Sequence, residues 1–196
     1  MHNSDKVMEV ILNHYVNNRF VLGIDGLSRS GKTTLVEELR QRLIQCQKPA
    51  CIFHIDDHIV ERKKRYDTGF EQWYEYYNVQ WDVEFLRQHL FAKLHHAREI
   101  ILPFYNSHLD ELETRTVTIP TDCIVIIEGI FLQRQEWREF FDFIVYLDCP
   151  RDKRFERESA TVRQDIEKFR SRYWKAEDFY LDSVRPLAIA DMVLSS

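Results

Sequence analysis

The sequence predicts an α/β fold in which helices cover both faces of a parallel sheet. Two apolar runs, residues 123–127 and 143–147, lack the alternation of half-exposed strands, as strands buried on both faces do. A third run, residues 20–25, ends at a glycine-rich loop, and apolar side chains then recur at helical spacing over residues 34–46. The length fits one hydrophobic core, so we predict a single domain over residues 1–196.

Apolar spacing predicts the other elements in chain order. We expect a helix over residues 4–17 that covers the sheet, and a second strand over residues 50–55 that ends at Asp56. Aromatic and aliphatic side chains at helical spacing over residues 70–94 predict two helices that pack into the core. Alternation over about residues 100–119 predicts a hairpin.

The C-terminal third is rich in charge. Residues 151–180 are predicted to be helical, and residues 192–194 form a last short strand. The basic run 62–65 is interpreted as a solvated loop, because charge runs are usually exposed.

Composition disfavours several classes of protein. A formal net charge of -5 argues against nucleic-acid binding through a broad basic face. The apolar runs are only strand-sized, so no membrane span is expected, and the cysteines form no C-x-x-C pair typical of metal sites. We therefore expect a cytoplasmic protein that binds neither nucleic acid nor membrane. The sequence leaves the formation of a homo-oligomer open.

The glycine-rich loop is the strongest functional signal. It satisfies the pattern G-x-x-x-x-G-K-[ST] between a predicted strand and a predicted helix, where the mechanism of the motif requires it. Inward N–H groups, the positive end of the helix and the Lys32 ammonium would bind nucleotide phosphates, and the Thr33 hydroxyl can ligate Mg²⁺. The predicted phosphate site comprises Gly26, Leu27, Ser28, Arg29, Ser30, Gly31, Lys32, Thr33 and Thr34.

A second metal ligand is expected at the end of a neighbouring buried strand. Glu128 occupies such an end, and Gly129 after it permits close approach of the backbone. The alternatives are a capping role for Glu128, or Asp148 as the ligand, although we interpret Asp148 as a helix cap. Asp56 is expected to face the γ-phosphate, with a helix N-cap as its alternative.

Five segments follow one another as they do in uridine kinases. They are residues 26–34, 55–56, 102–105, 116–120 and 127–130. Over about residues 20–194 the chain resembles the group of P-loop kinases that holds uridine kinase, phosphoribulokinase and bacterial pantothenate kinase. The resemblance implies a three-layer α/β/α sandwich with a five-stranded parallel sheet, a small hairpin insertion and a helical lid over about residues 151–172. It also implies ATP and Mg²⁺ as cofactors.

The resemblance further implies transfer of the γ-phosphoryl group of Mg-ATP to a hydroxyl of a nucleoside or related small metabolite. The implied catalytic residues are Lys32, Asp56 and Arg157, the implied acceptor-binding residues are Asp56, Tyr105, His108 and Arg163, and the implied metal ligands are Thr33 and Glu128. Arg154 matches a second arginine that leads into the lid, and we expect either Arg154 or Arg163 to join Arg157 over the phosphates.

Two departures leave the identity of the acceptor open. Uridine kinases follow the second-strand aspartate with a Ser/Thr-Phe-Tyr run, whereas this chain has Asp57, His58 and Ile59. Arg172 stands where those enzymes carry a glutamine that helps to read the pyrimidine. The alternative functions are a regulatory nucleotide-binding module and a degenerate kinase without turnover. A GTPase-like switch is disfavoured, because the guanine-reading motif N-K-x-D does not occur in the sequence.

Overall fold

A computed structural model describes residues 2–15 and 19–196. Its strands, in chain order, are β1 (Phe20–Asp25), β2 (Ala50–His54), β3 (Glu99–Asn106), β4 (Glu111–Thr118), β5 (Ile124–Gly129), β6 (Phe143–Asp148) and β7 (Met192–Ser195). Five of them form one parallel sheet in the order β2-β5-β1-β6-β7, and β3 pairs with β4 in an antiparallel hairpin. The predicted α/β fold with a five-stranded parallel sheet is therefore confirmed.

The helices lie mainly on the two faces of this sheet. In chain order they are α1 (Asn3–His14), α2 (Lys32–Gln45), α3 (Arg62–Arg65), α4 (Gln72–Tyr74), α5 (Val83–His89), α6 (Arg151–Glu156), α7 (Ala160–Arg163), α8 (Ile166–Lys168), α9 (Trp174–Ser183) and α10 (Pro186–Ile189). Among the described residues, no helix combines the length and the apolar character that a membrane crossing requires.

The side chains of the central strands alternate between two cores. Leu22 of β1 and Ile126 of β5 pack with α1 and α2, whereas Val21 and Ile127 face the larger core. That larger core contains Trp81 and many other aromatic side chains. Each fully buried aliphatic side chain contributes about 1.5–3 kcal/mol to folding relative to an exposed one. Burial on both faces explains why these strands lack alternation in the sequence.

Two helix boundaries differ from the prediction. The structure shows α1 ending at His14, because Tyr15 has an extended backbone (φ −81°, ψ 95°). Residues 16 and 17 of the predicted helix lie outside the described residues. The second helix begins at Lys32 rather than at residue 34, because Gly31 takes a left-handed conformation (φ 97°) that caps it directly at the loop.

The second strand is shorter than predicted. It ends at His54, and Ile55–His58 forms a 3₁₀ turn, so Asp56 lies in this turn rather than at the strand end. The Trp81 indole N–H donates to the Ile55 carbonyl at 2.9 Å and holds the turn. A Cβ atom on Gly129 would lie 2.1 Å from Ile55 Cγ2, so the turn can approach the end of β5 only because residue 129 is glycine.

The segments between β2 and β5 follow the prediction in part. Helical structure over residues 72–79 and 83–89 confirms two helices, but Phe70 is 60% exposed and does not pack in the core. The basic run forms the short helix α3 instead of a loop; residues 62–64 are exposed as predicted, whereas Arg65 is buried. The Arg65 guanidinium donates to the Val60 carbonyl and to the Tyr105 hydroxyl, which compensates its burial.

The helical segment after β6 is not continuous. It divides into α6, α7, α8, a π-helical stretch at Phe169–Tyr173, and α9. Ser159 and Asp165 accept hydrogen bonds from backbone N–H groups at the starts of α7 and α8, and such caps begin new helices. Asp148 makes no such contact at α6, whose cap position is Pro150, so our interpretation of Asp148 as a helix cap is wrong.

Candidate active site

The glycine-rich loop curls between β1 and α2 as the motif requires. Lys32 is the first residue of α2 and is 8% exposed. Its ammonium group donates to the Leu27 carbonyl at 3.1 Å, within the loop itself. A positive charge is therefore held at the centre of the loop, where a phosphate would lie.

An open cavity of about 420 Å³ adjoins this loop. Its lining residues come from the loop, the turn after β2, the π-helical stretch Glu75–Val79, the end of β5 and the start of the predicted lid: Ser28, Arg29, Gly31, Lys32, Thr33, Thr34, Asp56, Tyr76, Glu128, Ile130, Arg157 and Glu158. Strand order explains this assembly, because β2, β5 and β1 are adjacent and parallel and their carboxyl ends meet at one edge. The cavity thus brings together Lys32, Thr33, Asp56, Glu128 and Arg157.

Glu128 is the carboxylate nearest to the loop threonine. The Thr33 hydroxyl donates to Glu128 Oε1 at 3.4 Å, and a hydrogen bond of 2.7 Å joins Glu128 Oε2 to His54 Nδ1. This second bond raises the pKa of His54, and partial burial of the imidazole opposes the shift. Register explains the contact, because His54 and Glu128 are paired residues of β2 and β5.

The hydroxyl of Thr33 and the carboxylate of Glu128 fit Mg²⁺, which prefers oxygen ligands. The described residues hold no cluster of three or more His, Cys, Asp or Glu side chains that could bind a metal ion by itself. Mg²⁺ commonly takes only one or two protein ligands and completes its shell with phosphate oxygens and water. The arrangement therefore fits an ion that arrives with a nucleotide.

Asp56 reaches the same cavity from the 3₁₀ turn. Although water reaches this residue through the open cavity, protein atoms crowd around the carboxylate and raise its pKa. Lys32 opposes this shift and Glu128 adds to it, which places Asp56 within the electrostatic field of both groups. The turn has no side-chain cap, which argues against the helix-cap alternative. The neighbouring Asp57 does not line the cavity.

Arg157 and Glu158 contact the loop from the start of the proposed lid. The Arg157 guanidinium donates to the Arg29 carbonyl at 2.9 Å and to the Ser196 hydroxyl at 3.3 Å. Glu158 forms a 3.0 Å ion pair with the Arg29 side chain. Arg29 has a left-handed backbone (φ 60°). Its carbonyl contacts Arg157 and its side chain contacts Glu158, so two consecutive residues hold it. Arg157 is thus exposed and anchored at the edge of the phosphate cavity.

Arg154 does not join Arg157 at the surface, contrary to expectation. It is buried, and its guanidinium forms two hydrogen bonds, of 2.9 and 3.0 Å, with the buried carboxylate of Glu177. It also donates to the Ser28 carbonyl of the loop and to the Cys149 carbonyl. These contacts occupy its donors, so Arg154 holds the loop from the buried side of the protein and does not extend over the phosphate cavity.

Removing one partner of this buried pair is expected to destabilise the protein. Glu177→Ala should lower the free energy of unfolding by about 3–5 kcal/mol, because it leaves the buried Arg154 charge uncompensated. The exposed pair Arg151–Asp178 lies one residue further along α9, and Asp178→Ala should cost about 1 kcal/mol or less. Urea unfolding of both variants makes the comparison, and equal losses would contradict it.

Apart from Asp56, the predicted acceptor-binding residues lie outside the cavity lining. Tyr105 belongs to the hairpin, where its hydroxyl donates to Asp110 at 2.8 Å and accepts from Arg65 at 3.1 Å. His108 is exposed at the hairpin turn, and Arg163 is exposed at the end of α7. Their contact with an acceptor stays a prediction, and it would require the hairpin or the helices after α6 to approach the loop.

Arg172 occupies a buried position between the π-helical stretch Phe169–Tyr173 and α4. Its guanidinium donates to Glu75 at 2.9 Å and to the Arg65 carbonyl at 3.1 Å, and lies 4.1 Å from the centre of the Tyr66 ring. The residue that replaces a base-reading glutamine is therefore engaged in an internal ion pair.

Sequence reasoning missed a role for Asp25, the last residue of β1. Its carboxylate is fully buried and accepts hydrogen bonds from Gly26 N–H at 2.8 Å, Gln133 Nε2 at 3.0 Å and the Tyr180 hydroxyl at 2.5 Å. Burial raises the pKa of Asp25, and the bond from Tyr180 opposes this shift. The network ties the first loop residue to α9. A lone carboxylate ending an apolar strand before Gly26 was its only sequence signal.

Comparisons with known proteins agree with this site. The family described as "Phosphoribulokinase / Uridine kinase family" matches residues 21–193, which confirms the resemblance drawn from the motifs. A solved "Possible Uridine Kinase from Bacillus stearothermophilus" is 50% identical, with a TM-score of 0.87, over 97% of this chain and 96% of its own. The uridine kinase of Borreliella burgdorferi (strain ZS7) is 28% identical over 84% of this chain and 76% of its own. The uridine kinase of Macrococcus caseolyticus (strain JCSC5402) is 28% identical over 85% of this chain and 79% of its own.

Proposed function

Because the chain belongs to the phosphoribulokinase / uridine kinase family and is a phosphotransferase with a hydroxyl acceptor, we propose that it transfers the γ-phosphoryl group of Mg-ATP to a hydroxyl of a nucleoside or related metabolite. One observation carries the proposal: a single cavity is lined by the phosphate loop, Asp56 and Glu128. A donor phosphate, an acceptor hydroxyl and a proton acceptor can therefore meet in one place.

Lys32 would bind the β- and γ-phosphates. Its ammonium group only has to exchange the Leu27 carbonyl for phosphate oxygens, which carry full negative charge. Backbone N–H groups at the start of α2 add the positive end of the helix. Thr33 and Glu128 would hold Mg²⁺, which when bound neutralises charge on the phosphate oxygens.

Asp56 would orient the acceptor hydroxyl and accept its proton as the oxygen attacks in line. The carboxylate lies in the field of Lys32 and Glu128, beside the phosphate loop. General-base catalysis requires a carboxylate within hydrogen-bond reach of the attacking hydroxyl, and the cavity is open enough to admit one. Tyr105, His108 and Arg163 would surround the rest of the acceptor after closure.

A nucleoside acceptor is supported by relatives whose names state uridine kinase. The experiment is a thermal-shift screen of nucleosides, pantothenate and sugar phosphates, in the presence of Mg²⁺ and a non-hydrolysable ATP analogue. A true acceptor raises the melting temperature by mass action, and the shift should grow with its concentration. If no candidate raises the melting temperature beyond the analogue alone, a nucleoside acceptor is contradicted.

A second candidate function is binding of ATP and a metabolite without turnover. Two observations favour it: Asp57, His58 and Ile59 replace the aromatic run after the acceptor aspartate, and Arg172 is engaged in an internal ion pair. Under this alternative, acceptors would stabilise the protein in the thermal-shift screen, yet a coupled assay would detect no release of ADP.

The lid proposal predicts a specific kinetic effect for Arg157. Arg157→Ala should lower kcat by about 100-fold while changing ATP affinity little, because a charge placed on the transferring group acts mainly in the transition state. Arg170→Ala is the control, since Arg170 is exposed and forms an ion pair with Glu167 away from the cavity lining. Steady-state rates and calorimetric ATP affinities make the comparison. An unchanged kcat in Arg157→Ala would assign this arginine to the solvated surface.

A further inference from the structure

A short hydrogen bond joins His54 to Glu128 beside the phosphate cavity. His54 is the last residue of β2 and pairs in register with Glu128 of the neighbouring parallel strand β5. Residues in register on parallel strands project from the same face of the sheet, so their side chains can meet. The bond is 2.7 Å long, and Nδ1 carries its hydrogen, because an ionised carboxylate only accepts.

His54 reaches the cavity only through this bond. Glu128 lines the phosphate cavity, whereas His54 does not. The imidazole is 39% exposed, and the Glu128 side chain is 9% exposed. Any effect of the histidine on a ligand in the cavity is therefore exerted through the carboxylate that it holds.

Two side chains in the part of the chain that the structure describes hydrogen-bond to the Glu128 carboxylate. The Thr33 hydroxyl reaches Oε1 at 3.4 Å. That distance exceeds the usual range of about 2.5–3.0 Å for a hydroxyl donor, so the contact is weak. The His54 bond to Oε2 lies within the usual range for an N–H donor. His54 is thus the stronger restraint on the carboxylate, and it leaves Oε1 turned toward Thr33.

The bond is not needed to pair the two strands or to place the turn after β2. A ladder of parallel register pairs already joins β2 to β5 along the whole length of β2. The turn that carries Asp56 is held by the bond from Trp81 to the Ile55 carbonyl and by the close approach of Ile55 to Gly129. Loss of the His54 side chain should therefore leave the sheet and Asp56 in place.

We propose that His54 is a positioning residue that orients Glu128 toward Thr33 for the binding of Mg²⁺. The inference rests on the proposed function, because it takes these two side chains as the magnesium ligands. A glutamate side chain has several rotatable bonds, and Mg²⁺ demands near-ideal octahedral geometry, so a carboxylate that is already oriented binds the ion more tightly. Hydrogen bonds to the ligands of a metal commonly contribute about 10–100-fold to its affinity.

The test measures the affinity for a non-hydrolysable ATP analogue by calorimetry, once with saturating Mg²⁺ and once with EDTA. By thermodynamic linkage, the ratio of the two affinities reports how much more tightly the protein–nucleotide complex binds Mg²⁺ than the free nucleotide does. His54→Leu keeps a branched side chain but removes the donor, and it should lower this ratio about 10-fold. Its affinity in EDTA should equal that of wild type, because the loop binds the phosphates without His54.

Two further variants separate loss of the donor from a general disturbance. His54→Asn places an amide N–H at the branch position of Nδ1, so it should restore most of the ratio. His96→Leu makes the same replacement at an exposed histidine that does not line the cavity, and its ratio should equal that of wild type. Thermal unfolding of each variant verifies that it is folded.

Three outcomes would overturn the proposal. The first is an unchanged ratio in His54→Leu while Mg²⁺ strengthens nucleotide binding by wild type, and it would refute only the role of His54. The second is an equal loss in His54→Asn and His54→Leu, since a donor at this position would then have no effect. The third is a wild type whose affinity does not rise with Mg²⁺, which would also contradict the proposed metal ligands. The measurement detects binding and not turnover, so the expected ratios would stand even if no acceptor is phosphorylated.

Discussion

Replacement of Lys32 by alanine is expected to lower turnover by about 10³-fold or more and to weaken ATP binding sharply. The ammonium group of Lys32 contacts the Leu27 carbonyl, at the centre of the loop that would receive the phosphates. A cation at the transferring phosphoryl group stabilises charge in the transition state, and loss of such a group costs rates of this order. The fold should persist, because alanine is favourable in a helix and the hydrogen bond from Lys32 to the Leu27 carbonyl lies within the loop itself.

Lys153→Ala is the control for this change. Lys153 lies on the exposed side of α6, away from the cavity lining, so its removal should leave ATP affinity and turnover unchanged. Calorimetry with Mg-ATP and thermal unfolding of both variants separate loss of binding from loss of fold. If Lys32→Ala is folded and binds Mg-ATP as tightly as wild type, the loop does not act as a phosphate site.

Asp56→Asn is expected to lower kcat by about 10²–10⁴-fold, which is the usual contribution of a general base. The amide keeps the size of the carboxylate but cannot take up the proton of the acceptor hydroxyl. ATP affinity should change little, because Lys32 and the loop bind the phosphates separately from Asp56. Steady-state rates with an acceptor from the thermal-shift screen, together with calorimetric ATP affinity, measure both quantities.

Asp57→Asn provides a matched control one residue away. Asp57 does not line the cavity, so its replacement should have a mild effect on kcat. If Asp57→Asn is the inactive variant and Asp56→Asn the active one, the acceptor carboxylate has been assigned to the wrong residue. If neither variant loses activity, the assignment of the general base to this turn is contradicted.

The sheet and the phosphate loop were predictable because their signals are local. Continuous apolar runs identify strands buried on both faces, and the loop is a contiguous motif whose glycines and lysine act through the backbone. Glu128 could be expected near the loop, because parallel neighbouring strands bring their carboxyl ends to one edge. The hydrogen bond between His54 and Glu128 could not be predicted, because it depends on which strand lies beside β5.

Most of the predictions that the structure contradicts concern charged side chains that are buried. Arg65, Arg154 and Arg172 lie in runs of charge that are typical of solvated surfaces, yet each is buried. The carboxylates that compensate Arg154 and Arg172 are Glu177 and Glu75, which are distant in the chain and are brought to them only by the fold. Spacing along one segment cannot report such a partner. The role of Asp25 could not be predicted for the same reason, because the side chains that donate to it, Gln133 and Tyr180, are more than one hundred positions away.

The most direct test of phosphoryl transfer is to follow an isotopically labelled γ-phosphate of ATP. The protein is incubated with labelled Mg-ATP and each candidate acceptor, and the labelled products are separated. We predict that the label appears in a phosphate monoester of one acceptor, with an equal amount of ADP, and that Lys32→Ala and Asp56→Asn lose this product. If the label stays in ATP or appears only as inorganic phosphate with every acceptor, the proposed kinase function is contradicted.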